Sequence, residues 1–434
     1  MMHHAYCILL FLIIGTSCTR AQRCDKQQVA TTIQERVGKS VAWGKSEPAP
    51  LQEAMSADDC VQVALLHNPQ IQAMFEEIGI SEADLVEAAL VSNPFFDLFV
   101  RYPTKKKYAT NIEYSVTASF IDLFLIPLRV KVAECDLEKT TLHVTNQILD
   151  LALEVEESYY ELVAAEEEYT FAQESLELSS ILKEISARQV AVGNVFGLEY
   201  QEQESKFLEA EAECIRLQNL RIHLREKLTR LLGLTRPFEC KMGIPEEEVL
   251  PDEQLLATIA FRDRLDLQIA RYELLCISEH LGIQQWWVYT NGRLGLCGER
   301  DPDRLNTIGP AFAADIPIFN YGQAARGRLH AELKQKEHEL QALEITILSE
   351  VREAYEVLVR SSELMQKYKN VILPLQNRIV ASTEELYNVM GVGVDKLIDQ
   401  KLHAIEEQLS TIRSTKEYWL AKVQLKRVVG GNIS

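Results

Sequence analysis

The side chains best placed to act on something outside this chain are carboxylates that follow a glycine turn. The segment Met390-Gly-Val-Gly-Val-Asp395-Lys-Leu-Ile-Asp399 sets Asp395 and Asp399 one helical turn apart, so both acids share a face. An acid just after such a turn also serves as a cap, stabilising its helix by about 1 kcal/mol. Glycines Gly193, Gly391 and Gly393 suit tight turns between helices. The nine cysteines form no CxxC pair and no zinc-like Cys/His spacing. They read as buried thiols at apolar helical positions or, in an oxidising compartment, as partners in disulfides whose pairing stays open. There is no HExxH, P-loop, GxSxG or dinucleotide motif. The runs Glu166-Glu-Glu168 and Glu246-Glu-Glu248 read as solvated faces. Neither an enzyme nor a cofactor is expected.

Elements must position these groups, and composition limits which. In 434 residues, 25% are charged and 47% apolar, the balance of a folded chain long enough for two or three domains. Only 19 glycines and 13 prolines interrupt it, which favours long helices. The net charge of −19 excludes a nucleic-acid binder, which needs a basic face. The acidity fits a solvated helical surface or an acidic lumen that tolerates cations.

The first residues read as a targeting segment. Ala5 to Ser17 is an apolar run of signal-peptide length, too short to span a bilayer as a helix. Gly15-Thr16-Ser17 precedes Cys18 as in a lipoprotein cleavage box, making Cys18 a candidate lipidated N-terminus, with cleavage after Ala21 as the other option. No other run is apolar and long enough to cross a membrane as a helix, so any span must be β.

An internal repeat sets the architecture. Val155-Glu-Glu-Ser-Tyr159 matches Val351-Arg-Glu-Ala-Tyr355, and Asn68-Pro-Gln-Ile71 matches Arg264-Leu-Asp-Leu267, both at an offset of 196 residues. Arg230-Leu-Leu-Gly233 matches Arg427-Val-Val-Gly430 at nearly the same offset. Each unit predicts a helix (near 56–90 and 252–280), a strand pair (95–125 and 284–317), a long helix (129–190 and 322–388), a glycine-containing turn and a return helix. Ser56 and Asp59 suit an N-terminal cap. Stripes at Phe207, Ala210, Cys214, Leu217, Leu224, Leu228 and Leu231, broken only by Arg221, and at Ile398, Leu402, Ile405, Leu409 and Ile412, keep a coiled-coil rhythm. Helices this long imply an elongated wall of antiparallel hairpins.

The strands carry a membrane signature. Ile112, Tyr114, Val116, Ala118 and Phe120 alternate with Glu113, Ser115, Thr117 and Ser119, as a tilted transmembrane strand requires. Phe96, Leu98, Val100 and Tyr102 alternate likewise, and Trp286, Trp287 and Tyr289 suit an aromatic girdle. Four strands cannot close a barrel, so a lipid-embedded sheet demands several copies. A half-buried soluble sheet would alternate the same way.

Ala64-Leu-Leu-His-Asn-Pro69 with Ala83 and Ala88-Ala89 resembles the opening helix of TolC-like outer-membrane efflux proteins. The stretch Ile308 to Phe319 resembles that family's last strand and its exit into helix, and Val192-Gly193 with Leu198-Glu199, and Tyr387 to Asp395, resemble its helix-turn tips. Asn68-Pro69 and Ile316 to Asn320 are closer to the heavy-metal efflux branch, whereas Gly322-Gln-Ala departs from it. The resemblance implies a mainly α chain with a small β part, a homotrimer with a twelve-stranded barrel in outer-membrane lipid, a periplasmic helical tunnel, and an adaptor and inner-membrane pump as partners. It places Asp395, with Asp399 and Glu199, at the periplasmic aperture, and the adaptor contact around the tips at Gly193, Gly391 and Gly393. Under it the chain divides into a signal at 1–17, a linker at 18–55 and repeats at 56–235 and 236–434, and serves as a passive exit duct for efflux or type I secretion. The other reading is a lipid-anchored periplasmic coiled-coil scaffold or adaptor.

Overall fold

The computed structural model describes residues 25–41, 54–104, 109–236, 238–241, 253–284, 292–303, 305–316 and 318–431. Cys18, the girdle residues Trp286, Trp287 and Tyr289, and Glu246 to Glu248 lie outside the described residues.

Helix α1 (Asp25–Val37) precedes two sets of similar elements. The first set is α2 (Ala57–His67), α3 (Pro69–Ala89), β1 (Phe95–Arg101), β2 (Asn111–Ser119), α4 (Asp122–Ala191) and α5 (Gly197–Leu232). The second is α6 (Glu253–Asp263), α7 (Leu265–Gln284), β3 (Arg293–Arg300), β4 (Asn306–Ala313), α8 (Gln323–Lys367), a π turn (Tyr368–Ile372), α9 (Leu373–Asn388) and α10 (Val394–Val429). The chain is mainly helical with one small sheet, as its sequence suggested.

Several expected elements differ. The single opening helix of each unit is two helices. In the first, Pro69 lacks an N–H and pushes Asn68 into extended backbone (φ −68°, ψ 121°), and the Asn68 side chain then caps α3 by accepting from Gln70 N at 2.7 Å. The second breaks at Arg264 without a proline, where Asp266 accepts from Leu267 N at 2.8 Å. At the start of α2 the expected cap is a full capping box: Ser56 N donates to Asp59 Oδ2 (3.0 Å) and Asp59 N to Ser56 Oγ (3.3 Å). Helix α4 begins at Asp122, earlier than expected, and contains Pro127. Its 70 residues make it about 105 Å long at 1.5 Å per residue. The long helix of the second unit is interrupted by the π turn just before Pro374, whose missing N–H breaks the regular ladder. Helix α1, in a stretch the sequence left as linker, buries Val29 and Ile33 against the bundle.

The return helices α5 and α10 have the same length, 36 residues, and end alike. Gly233 (φ +67°) and Gly430 (φ +93°) take left-handed backbone, and the following amides, Leu234 N and Gly431 N, bond back to Thr229 O and Lys426 O. Leu217, Leu224, Leu228, Ile398, Ile405 and Ile412 are buried, and Phe207, Ala210, Cys214, Leu231, Leu402 and Leu409 of the same stripes are partly buried.

One apolar core forms where the short helices wrap the middle of the long ones. It joins Ile33, Phe75, Ile148, Val155, Leu228, Leu265, Val351, Leu358 and Val429. Tyr160 of α4 stacks on Trp419 of α10 with ring centroids 5.0 Å apart, so the two repeats share this core.

Candidate channel surfaces

The four strands form one antiparallel sheet in the order β1-β2-β3-β4, so the outer edges of β1 and β4 have no partner strand among the described residues. Register sorts the side chains into two faces. One carries Phe96, Val116, Leu296 and Pro310 across one row, and Leu98, Tyr114, Gly298 and Ile308 across the next. The other carries Asp97, Ser115, Cys297 and Gly309, then Phe99, Glu113, Glu299 and Thr307. Polar contacts lie on the second face: Asn111 Nδ2 to Glu299 Oε1 at 2.7 Å, and Arg101 to Glu113 at 3.2 Å.

The first face is apolar and uncovered. Phe96 is 59% exposed, Val116 47%, Leu296 62% and Ile308 75%. A half-buried soluble sheet would hide this face against its own core. Among the described residues the apolar face has no cover, the polar face makes its own hydrogen bonds, and both edges are open. That combination suits a segment of a larger closed barrel whose apolar side meets lipid. No described helix is long and apolar enough to cross a membrane.

At the far ends of the hairpins, the tips bring several predicted residues together. In the first, Gly193 takes φ +79° between α4 and α5. In the second, the left-handed residue is Met390 (φ +59°), not Gly391. Gly391 N instead donates to Leu386 O at 2.8 Å, closing the last turn of α9. Gly393 is the N-cap of α10 with extended backbone, and the Asp395 carboxylate folds over it. Asp395 is therefore an exposed first-turn acid, a position in which the helix dipole favours negative charge. Glu199 holds the matching first turn of α5 and is also exposed. Asp399 points across to the other hairpin and pairs with Lys206 at 3.7 Å. Asp395 and Asp399 thus share a helix but not a role within the chain.

Other features of this region were not read from the sequence. Val192, Phe196, Leu198, Val389 and Met390 are exposed apolar side chains at the tips, with Phe196 at 83% and Met390 at 94%. Apolar residues in a glycine turn were the available signal. Glu168, expected on a solvated face, is buried: Arg413 Nε (3.4 Å) and Lys416 Nζ (3.3 Å) of α10 hold its two oxygens. The charge run hid it, because helix phase turns one glutamate of three inward. Glu166, two residues earlier, pairs with Arg225 of α5, so acids of one run on α4 serve both return helices.

What this geometry defines is an elongated helical chain carrying a small open sheet, apolar on one exposed face, at one end. Residues 60–234, most of the first repeat, match the family model described as outer membrane efflux protein. No curated protein matches the chain in sequence. The Campylobacter jejuni CmeC outer membrane channel is similar in structure with a TM-score of 0.68 at 13% identity, covering 90% of this chain and 90% of that one. The Vibrio cholerae outer membrane protein VceC gives 0.66 at 13% identity over 87% of this chain and 97% of its own. The open state of the Neisseria gonorrhoeae MtrE outer membrane channel gives 0.61 at 15%, covering 90% and 98%. At these identities the likeness is one of fold. The first-repeat match and the whole-chain fold agree: the first half is similar to the outer membrane efflux protein family, and the chain as a whole has the fold of these outer membrane channels.

Proposed function

We propose that the chain is a subunit of an outer-membrane exit duct, passive and without catalytic chemistry, serving a tripartite efflux or type I secretion system. The carrying observation is the four-stranded sheet with an uncovered apolar face and two open edges. Lipid satisfies the face, and identical sheets from neighbouring copies satisfy the edges. In a homotrimer, twelve strands would close the barrel and the hairpins would line a periplasmic tunnel.

Two exposed helical seams support the assembly. Leu208, Ile215 and Ile222 recur every seven residues on α5, and Val357, Leu364 and Val371 do so from α8 into the π turn. Apolar residues at this period ask for a partner helix, and the two seams of adjacent copies supply one another. The exposed apolar tips suit a periplasmic adaptor, which would couple the duct to an inner-membrane pump. The exposed Asp395 carboxylates of the copies would ring the tunnel end, with Glu199 nearby, and bias it toward cations. Within this reading, residues 1–17 direct export, Cys18 anchors the mature chain through lipid, and the division at 235/236 separates two hairpin repeats. A scaffold or adaptor role gives no reason for an apolar sheet face open to solvent.

The test is extraction and reconstitution of the full chain. Detergent-solubilised protein should run as a trimer by light scattering and conduct in planar bilayers. A monomer that stays soluble without detergent and carries no current would overturn the reading.

A further inference from the structure

We infer that Cys60 and Cys240 form a disulfide that locks the start of the first repeat to the segment following its return helix. The inference rests on the proposed export of the chain to an oxidising compartment, and the pairing comes from geometry. Cys60 is fully buried in the first turns of α2, Cys240 is half-buried, both are free thiols, and the Cys240 thiol is the neighbour that acts most on that of Cys60. The backbone around them is already held together. Met55 and Cys240 form a parallel bridge, in which Met55 N donates to Glu239 O (3.0 Å) and Lys241 N to Met55 O (2.8 Å). From α4, Tyr159 Oη donates to Lys241 O at 2.9 Å. The capping box at Ser56 and Asp59 fixes the turn that carries Cys60. Both thiols therefore sit on backbone positioned by independent bonds, which is what a cross-link between residues distant in sequence requires.

In a second pair of free thiols, Cys135 of α4 and Cys276 of α7 also influence one another. It lacks the backbone bridge that fixes the first pair, so the inference stops at Cys60 and Cys240.

The chemistry is thiol–disulfide exchange with a disulfide-bearing oxidant of the envelope. The more accessible Cys240 thiolate attacks the oxidant's disulfide, forming a mixed disulfide and releasing one oxidant thiolate. The Cys60 thiolate then attacks the Cys240 sulfur, forming the Cys60–Cys240 bond and expelling the second oxidant thiolate. Two electrons pass to the oxidant, and the two protein thiol protons end on its two sulfurs. The neighbouring Cys240 thiol and burial both push the Cys60 thiol above its ordinary value, so attack is slow once the core has closed. The bond should form during folding and then resist external reductant.

The experiment uses the full chain expressed with its own N-terminus. Cells are fractionated, thiols are blocked with N-ethylmaleimide under denaturing conditions, and unreduced peptides are mapped by mass spectrometry. A linked peptide joining Cys60 to Cys240 in the envelope fraction is expected as the main species. Cys60→Ser should abolish that peptide and leave Cys240 blocked by the maleimide. Envelope protein with both cysteines carrying the maleimide would overturn the inference. If the chain instead stays in the cytoplasm, the export reading fails, and purified chain equilibrated with oxidised and reduced glutathione decides the pairing. The linked peptide in that buffer upholds it, and its absence overturns it.

Discussion

Asn68 and Arg264 hold the same place in the two repeats and make the same bond. Asn68 Nδ2 donates to Leu231 O at 2.8 Å, and Arg264 Nη1 donates to Val428 O at 3.2 Å. Each carbonyl belongs to the last turn of its own repeat's return helix, where helical partners run out. Each donor stands at the break between two short helices. The chemistry has diverged while the task has not. Asn68 makes its own break together with Pro69, whereas Arg264 also holds Asp266 (2.6 and 3.0 Å) and Glu350 (2.6 Å).

Arg264→Ala should therefore cost more than Asn68→Ala. The arginine variant strands the Val428 carbonyl and two carboxylates, a loss of about 2–3 kcal/mol. The asparagine variant loses one cap and one carbonyl bond, about 1–2 kcal/mol. Arg264→Lys should recover little, because a point charge cannot replace the planar fork. Chemical denaturation midpoints of the three variants check the order, and equal losses would contradict it.

The glycines beside these breaks differ from those at the tips. A Cβ on Gly233 would meet His67 O at 2.9 Å and Asn68 Cα at 3.0 Å, and one on Gly430 would meet Asp263 O at 3.1 Å and Arg264 Cα at 3.2 Å. Gly193 has nothing within 4 Å and only its φ of +79° to protect. Gly193→Ala should cost about 1 kcal/mol from backbone strain alone. Gly233→Ala adds a backbone collision and Gly430→Ala a tight backbone contact, and each should cost more than Gly193→Ala, about 2 kcal/mol or above at Gly233. Thermal midpoints that fall equally for tip and break would show that the close approach does not matter.

Glu167 gives a pH signature. It lines a cavity with Met365, Lys369 of the π turn, and Thr411 and Thr415 of α10, and burial pushes its carboxyl above the ordinary carboxylate range. A raised carboxyl pKa means that the folded chain holds the proton more tightly than the unfolded one. The associated stability is present below the unfolded value of 4.5 and is lost as pH rises through the folded value. Glu167→Gln removes that loss, so the variant should be more stable than the parent at pH 7, with the gap closing toward pH 4. Denaturation at both pH values measures it, and a gap that widens in acid would contradict the assignment.

At the tips, Asp395→Ala should separate gating from folding. The side chain is exposed, so its loss as a first-turn acid costs no more than about 1 kcal/mol. In the proposed duct the variant should show higher resting conductance or weaker cation preference in single-channel recordings. Unaltered currents from correctly assembled protein would leave Asp395 with its helix-terminal role alone.

Legibility followed the periodicity of each segment. Strict alternation at Ile112 to Ser119 and the inward stripes at Leu217, Leu224 and Leu228 were readable, because a single period fixes the face. Asn68 and Arg264, and Gly233 and Gly430, meet the same geometric demand at matching places in the two sets of elements. What stayed hidden depends on partners distant in sequence. Glu168 is buried only because Arg413 and Lys416 reach it from α10. The break at Arg264 lacks a proline to announce it. Met390 takes the left-handed turn although glycines stand on its C-terminal side, since the turn is set by where α9 must end to let α10 return. Asp399 stands one turn from Asp395, and its ion pair with Lys206 on the other hairpin is not legible in the sequence.

The sheet offers the sharpest contrast, because adjacent residues on one strand should respond oppositely. Val116 lies in the apolar row with Phe96 and Leu296, and Thr117 lies on the other face opposite Phe95 and Gly295. Arginine at Val116 would present a charge to lipid and should weaken assembly by about 2–4 kcal/mol if the row lies near mid-bilayer, falling toward zero near the interface. Arginine at Thr117 would face the water-filled lumen and should leave assembly nearly unchanged while altering ion selectivity. Trimer yield after detergent extraction reads the first effect, and reversal potentials in asymmetric salt read the second. Should Thr117→Arg block assembly and Val116→Arg spare it, the two faces would have to be exchanged, with lipid on the side of Asp97 and Ser115. The hydrogen bonds that Asn111, Glu299, Arg101 and Glu113 make across that side argue for water there, so the expected order is Val116→Arg sensitive and Thr117→Arg tolerant.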